Sequence, residues 1–191
     1  MTKHLVLAAV IVVLAALPGH ARELHLAADE WCPYNCKPDS DTPGFMIEIA
    51  REVFEPAGME IRYTVLNWAR AIVEAREGAF DGIVGAFCGD APDFVFPEEH
   101  QGLSGNALFV EQGNSWRYVG EDSLRGVRVG PIRGYDYGRL NVPLRDFARI
   151  DVVSGDKPLE VNIRKLLLGR IDAFVEDVSV ARYKLKQLNM E

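Results

Sequence analysis

The side chains best suited to gripping a small charged molecule lie in short groups along the chain: Asp29, Trp31 and Tyr34; Trp68 and Arg70; Phe87; Arg133, Gly134 and Tyr135; and Glu176 with Asp177. Aromatic rings give flat apolar contact, and their faces attract cations. Arginine holds a carboxylate through two parallel hydrogen bonds, and an acid returns the favour to an ammonium group. Each residue also has a purely structural reading. Trp31, Trp68, Tyr135 and the nearby Tyr137 can be packing residues. Arg70 stands at a helix start, where the dipole disfavours a cation, so it meets either an external anion or a neighbouring acid. Asp177 precedes a helical stretch and suits an N-cap, a role compatible with ligand contact.

Hydrophobic periodicity says what positions these groups. Residues 24–28 and 60–66 alternate as strands, and 80–87 reads as an apolar strand buried on both faces. Helical spacing runs over 45–57 and 69–77, stopped by Gly58 and Gly78. The stretch 89–120 breaks the rhythm with prolines and glycines, although 107–111 is strand-like. The alternation then resumes as strand 127–130, short helix 135–140, strand 150–153, helix 159–168, strand 171–175 and helix 178–188. This β-α-β-α-β order predicts an α/β fold of two lobes, each a mostly parallel sheet flanked by helices. The predicted division is a leader over 1–21, lobe 1 over 22–110 and lobe 2 over 111–191. Open parallel sheets bind ligands beyond the C-terminal ends of their strands, which is where the groups above fall. One echo links the halves: Gly78-Ala79-Phe80-Asp81-Gly82-Ile83-Val84 matches Gly169-Arg170-Ile171-Asp172-Ala173-Phe174-Val175. Either helix-Gly-strand junctions simply look alike, or the lobes share a construction.

Lys3 and His4, an apolar run over 5–17, and small residues at 19 and 21 form an export signal with cleavage expected after Ala21. The apolar run is shorter than the roughly 18 residues a membrane anchor needs. Export makes a short Cys32–Cys36 disulfide readable, with free thiols, redox chemistry and metal binding as alternatives. Cys88 reads as a buried small apolar residue. The net charge of −7, with no basic block, argues against nucleic acid and against anionic membrane surfaces. No metal-ligand spacing or cofactor motif is present, so neither a metal nor a cofactor is expected.

Five segments taken in order resemble the type 2 periplasmic solute-binding proteins of the amino-acid ABC-transporter class, bacterial extracellular solute-binding protein family 3. They are Leu24-His25-Leu26-Ala27-Ala28-Asp29, Pro43-Gly44-Phe45-Met46-Ile47-Glu48-Ile49-Ala50, the 78–84 segment, Ser123-Leu124-Arg125-Gly126-Val127-Arg128-Val129-Gly130, and Gly169 through Asp177. The resemblance implies capture of a small polar solute in an interlobe cleft for an inner-membrane ABC permease, with the acid at Asp177 holding an amino group. Two departures stand out. The segment Cys88-Gly89-Asp90-Ala91-Pro92-Asp93 lacks the arginine that grips an α-carboxylate in the family, leaving Arg70 or Arg133 as substitutes. The chain also stops soon after residue 188, where the family continues and returns to the first lobe. Two other readings remain: a dehydratase-like enzyme using Glu30, Glu176 or Asp177, and a sensor module for a membrane receptor.

Overall fold

The computed structural model describes residues 22–190; the leader expected over 1–21 lies outside them. No helix among the described residues is long and apolar enough to cross a membrane. Strand β1 (Arg22–Ala28) leads through a 16-residue loop to helix α1 (Phe45–Phe54). A 3-10 turn and Gly58, at φ 78°, return the chain into β2 (Met59–Val65). Helix α2 (Trp68–Arg76) starts where the Asn67 side chain accepts a bond from the Arg70 amide at 3.1 Å, an N-cap. It leads to β3 (Gly82–Ile83). These strands form a parallel sheet in the order β2-β1-β3.

The second sheet contains β4 (Asn106–Phe109), β5 (Arg128–Gly130), β6 (Arg149–Ile150) and β7 (Ala173–Asp177), in the order β4-β7-β5-β6. β5, β6 and β7 are parallel, and β4 runs antiparallel to β7. Its helices are α3 (Asn141–Phe147), α4 (Pro158–Leu167) and α5 (Val178–Gln187). Residues 106–109 thus enter the second sheet by pairing with β7. The core beneath this sheet is made of Leu159, Ile163, Leu166, Ile171, Phe174 and Val180, with Trp31 and Tyr34 from the first lobe's loop packed into it.

Three sequence expectations are corrected. The strand over 80–87 shrinks to two residues. After Val84, Gly85 adopts φ 86° and turns the chain out, and the Phe87 amide bonds the Asp90 carboxylate rather than a strand. Lying at the sheet edge, β3 is half-buried, not covered on both faces. The helix expected over 135–140 begins only at Asn141, after a 3-10 turn at Gly138–Leu140. Gly134 and Gly138 both have positive φ, and the side chains of Asp136 and Asn141 accept the amides of Gly138 and Tyr137. Such side-chain capture of backbone donors competes with helix formation. Finally, Cys88 is exposed on the loop beyond that turn.

The echo between the halves is structural. Gly78 and Gly169 end their helices with positive φ. The next amides, Ala79 and Arg170, reach back to the carbonyls of Glu74 and Lys165 at 2.9 and 2.8 Å, as in a Schellman motif. Asp81 then exchanges two bonds with His25 of β1, and Asp172 does the same with Arg128 of β5. Each corner fixes the register of a parallel strand pair.

Gly44 has φ 103° and ψ 142°, and a Cβ there would lie 2.7 Å from the Asn35 Cα and overlap the Tyr34 carbonyl. Only glycine occupies that backbone region at small cost. Gly44→Ala is therefore expected to lose about 3 kcal/mol of stability, measured by urea unfolding of variant and parent.

Candidate functional site

The site lies where the C-terminal ends of the two sheets meet. From the first sheet come Asp29 and Trp31 after β1, and Trp68 after β2; from the second come Gly134 and Tyr135 after β5, and Glu176 with Asp177 at the end of β7. Hydrogen bonds cross between them. Trp31 Nε1 donates to Glu176 Oε1 at 2.9 Å. Tyr34 Oη donates to Asp177 Oδ2 at 3.3 Å. Trp68 Nε1 donates to the Gly134 carbonyl at 3.1 Å. The Tyr135 hydroxyl donates to Asp29, and the Asp136 amide donates to Asp90 Oδ1 at 2.6 Å.

Rings fill the space between the rims. Trp31 and Tyr34 stack with centroids 4.4 Å apart. Tyr135 stands edge-on to both Trp31 and Trp68, at 6.5 and 6.3 Å, and Phe87 meets Trp31 edge-on at 6.3 Å. Free volume is accordingly small. The slot bounded by Asp29, Trp31, Trp68, Phe87, Asp90 and Tyr135 encloses about 20 Å³, as does the space beside Glu176, Trp31 and Lys184. That suffices for about one water. A roomier cavity of 830 Å³ lies between β3 and the 93–104 loop, and Trp31, Gly85 and Phe87 line both it and the slot.

Carboxylates without a cationic partner dominate the electrostatics of the slot. Burial pushes Asp29 up to about 6, against the lowering effect of the Tyr135 hydroxyl. Burial likewise lifts Asp90 to about 6, opposed by the amides of Phe87 and Asp136. Glu176 is 1% exposed and is raised by burial to about 8. Its Oε1 accepts from the Trp31 indole and the Asp177 amide, while Oε2 is buried without a partner. Tyr135 is held far above its usual range by burial and by the Asp29 charge, so it remains a donor.

Asp177 caps α5 through the amides of Ser179 and Val180 at 2.8 and 3.0 Å. Its other oxygen accepts Ser104 Oγ at 2.7 Å and the Gly105 amide at 3.0 Å, which ties down the strand entering the second sheet. The cap and site readings coincide in one side chain.

The structure brings Asp29, Trp31, Tyr34, Trp68, Phe87, Gly134, Tyr135, Glu176 and Asp177 together. Arg70 and Arg133 stay outside. Arg70 pairs with Glu74 at 2.5 Å along its own helix, its side chain 61% exposed, and Arg133 is exposed beside the slot with no side-chain partner among the described hydrogen bonds. Neither stands where a carboxylate between the rims would need a cation. Sequence reasoning overlooked Asp90, whose acid in a Gly-Asp-Ala-Pro turn resembles an ordinary loop cap. The expected disulfide joins Cys32 and Cys36 in the loop that carries Trp31 and Tyr34.

No family model matches the chain. A probable histidine-binding protein from Campylobacter jejuni is 25% identical over 160 residues, covering 81% of this chain and 59% of the relative; the chain thus spans about three-fifths of that protein's length. The holo form of ArgBP from T. maritima superposes with a TM-score of 0.72 at 20% identity, covering 87% of this chain and 74% of that one. AbpA, an amino acid ABC transporter substrate-binding protein from Streptococcus pneumoniae bound to L-arginine, gives 0.64 at 18% identity, covering 86% and 71%. The chain therefore has the two-lobed α/β fold of the amino-acid-binding proteins. It is similar, in segment order and in architecture, to the solute-binding proteins of ABC transporters.

Because Asp29, Asp90 and Glu176 hold protons in the folded chain at pH values where the unfolded chain has released them, folding is favoured at low pH and loses this contribution as pH rises. The window runs from about 4 to about 6 for the aspartates and from 4.5 to about 8 for Glu176. The melting temperature is expected to be higher at pH 5.5 than at pH 8.5. Glu176→Gln should raise stability at pH 8.5 by roughly 1–3 kcal/mol, leave pH 5.5 nearly unchanged, and flatten the slope in differential scanning calorimetry.

Proposed function

We propose that this chain is the solute-capturing component of an amino-acid ABC transporter, acting in the periplasm after removal of the leader expected over 1–21 and delivering a small polar solute to an inner-membrane permease. The observation that carries this reading is the meeting of the two sheet ends. Aromatic rings and acids from both lobes, Asp29, Trp31 and Trp68 on one side and Tyr135, Glu176 and Asp177 on the other, converge on one slot. Ligands of open α/β sheets bind at such strand ends. The similarity to a probable histidine-binding protein and to an arginine-bound substrate-binding protein supports amino acids as the solute class. Division into lobe 1 up to about residue 110 and lobe 2 beyond it belongs to the same proposal, since capture requires two bodies that part and close.

A catalytic reading has one observation in its favour, the pair of buried acids Asp29 and Glu176, both raised by burial, at the ends of facing strands. Shifted carboxyls are a resource for acid–base chemistry. Both are buried in this structure behind aromatic rings, which favours binding over turnover.

Thermal unfolding in the presence of each of the common amino acids tests the proposal. A solute at 100 times its Kd should add about 2.7 kcal/mol of stability, and mass spectrometry should recover it chemically unchanged. A folded chain that no amino acid stabilises would remove the binding reading, and recovery of a converted product would replace it with the catalytic one.

A further inference from the structure

Tyr135 occupies the place where a solute would sit. Its ring lies between Trp31 and Trp68, edge-on to both. It packs against three of the chain's hydrophobic clusters at once: the core under β7, the cluster around Leu124 and Val129, and the first lobe's cluster around Trp68 and Ala71. Its hydroxyl crosses to Asp29, at the end of the opposite sheet. What remains of the slot is about 20 Å³, whereas ligand pockets run to about 300–1,000 Å³. The slot is largely filled by the protein itself.

The local backbone suits a side chain that comes and goes. Tyr135 belongs to neither a strand nor a helix; it stands between the Ile132–Val153 bridge and the turn at Gly138. Its amide makes only a 3.3 Å bond to the Ile132 carbonyl. Gly134 has φ 83°, and a Cβ there would meet Trp68 and Ala69 at 3.6 Å. Withdrawal of the ring would break the cross-lobe bond to Asp29 and its packing against the three clusters, but no sheet pairing.

We infer that Tyr135 is a resident occupant of the interlobe slot: it holds the solute-free chain closed, and a solute binds by taking over both the space between Trp31 and Trp68 and the hydrogen bond to Asp29. The solute half of this statement rests on the binding function proposed above; the closure half does not. Tyr135 then acts as a specificity-determining residue. A molecule that displaces it must present a donor to Asp29 and must fit the width of one aromatic ring. Its measured affinity is lowered by the fraction of chains in which the tyrosine is seated.

Small-angle X-ray scattering of the solute-free chain, alongside Tyr135→Phe and Tyr135→Ala, reads closure directly. Isothermal titration of the same three proteins with L-arginine and L-histidine reads competition. The parent is expected to be compact, and the alanine variant to have a larger radius of gyration. The phenylalanine variant, which keeps the ring and loses the bond to Asp29, should bind the effective probe roughly tenfold more tightly than the parent. Should the alanine variant not fold, as near-ultraviolet circular dichroism would show, the phenylalanine variant alone decides through its affinity. An unchanged radius of gyration in a folded alanine variant, or weaker probe binding in the phenylalanine variant, overturns the inference. If neither amino acid binds any of the three while the alanine variant expands, closure by Tyr135 stands and the amino-acid reading is what fails.

Discussion

Acids buried at the ends of two sheets, with no cation of their own, are the constraint around which this fold is arranged. Ionised carboxylates are costly to remove from water unless donors surround them. In this chain the donors come largely from the opposite sheet. The Trp31 indole serves Glu176, the Tyr135 hydroxyl serves Asp29, the Asp136 amide serves Asp90, and the Tyr34 hydroxyl serves Asp177. Neither lobe satisfies its own acids completely. Closure is therefore coupled to hydrogen-bond satisfaction, and parting the lobes would return Asp29 and Glu176 to water, where both ionise readily. That coupling is what makes the interlobe contact responsive to whatever can donate hydrogen bonds between the rims.

Much of the scaffold was legible from local chemistry. Gly78 and Gly169 marked helix ends because only a residue without a side chain reverses the chain there at low cost, and the aspartate three residues later recurs because it bonds the neighbouring parallel strand. The clustering of Asp29, Trp31, Tyr34, Trp68 and Tyr135 was legible for a different reason. Strand ends in parallel sheets converge, so a residue just past a strand is brought to the rim whatever its type. What escaped is what depends on competition between bonds distant in sequence or in rotamer space. The length of β3 is set by Gly85 and by the Asp90 side chain, which takes the Phe87 amide. The late start of α3 is set by Asp136 and Asn141, which capture the amides a helix would need. Arg70 turned along its helix because Glu74 stands one turn away, an i,i+4 pairing that periodicity allows but does not decide between.

The absence of an arginine at the slot changes how the resemblance to amino-acid-binding proteins should be understood. The two candidates for gripping a carboxylate lie outside: Arg70 in an exposed ion pair and Arg133 on the rim. The charged residues that bound the slot are all acids, Asp29, Asp90 and Asp136, set among the rings of Trp31, Trp68, Phe87 and Tyr135 with Gly85 and Asn106. Such walls favour a positive or donor-rich group, because ring faces and carboxylates pull in the same direction. The family's fold is retained here with a slot whose polarity is one-sided.

Asp177 shows how far a solute would have to intrude. Its carboxylate already accepts from the amides of Ser179, Val180 and Gly105, from the Ser104 hydroxyl, and from the Tyr34 hydroxyl. The first four hold α5 and the strand entering the second sheet, so giving one up would loosen the architecture. The fifth is the longest of the set at 3.3 Å, and it comes from the loop after β1. An incoming ammonium that takes over the cross-lobe bond at Asp177 displaces Tyr34, much as a donor that takes over the Asp29 Oδ2 bond displaces Tyr135. Both exchangeable bonds are phenol to carboxylate, both span the interlobe boundary, and Trp31 lies against both rings. The acids are thus guarded by neutral donors, and a charged donor can outcompete them because it adds the attraction of opposite charges to the hydrogen bond it makes.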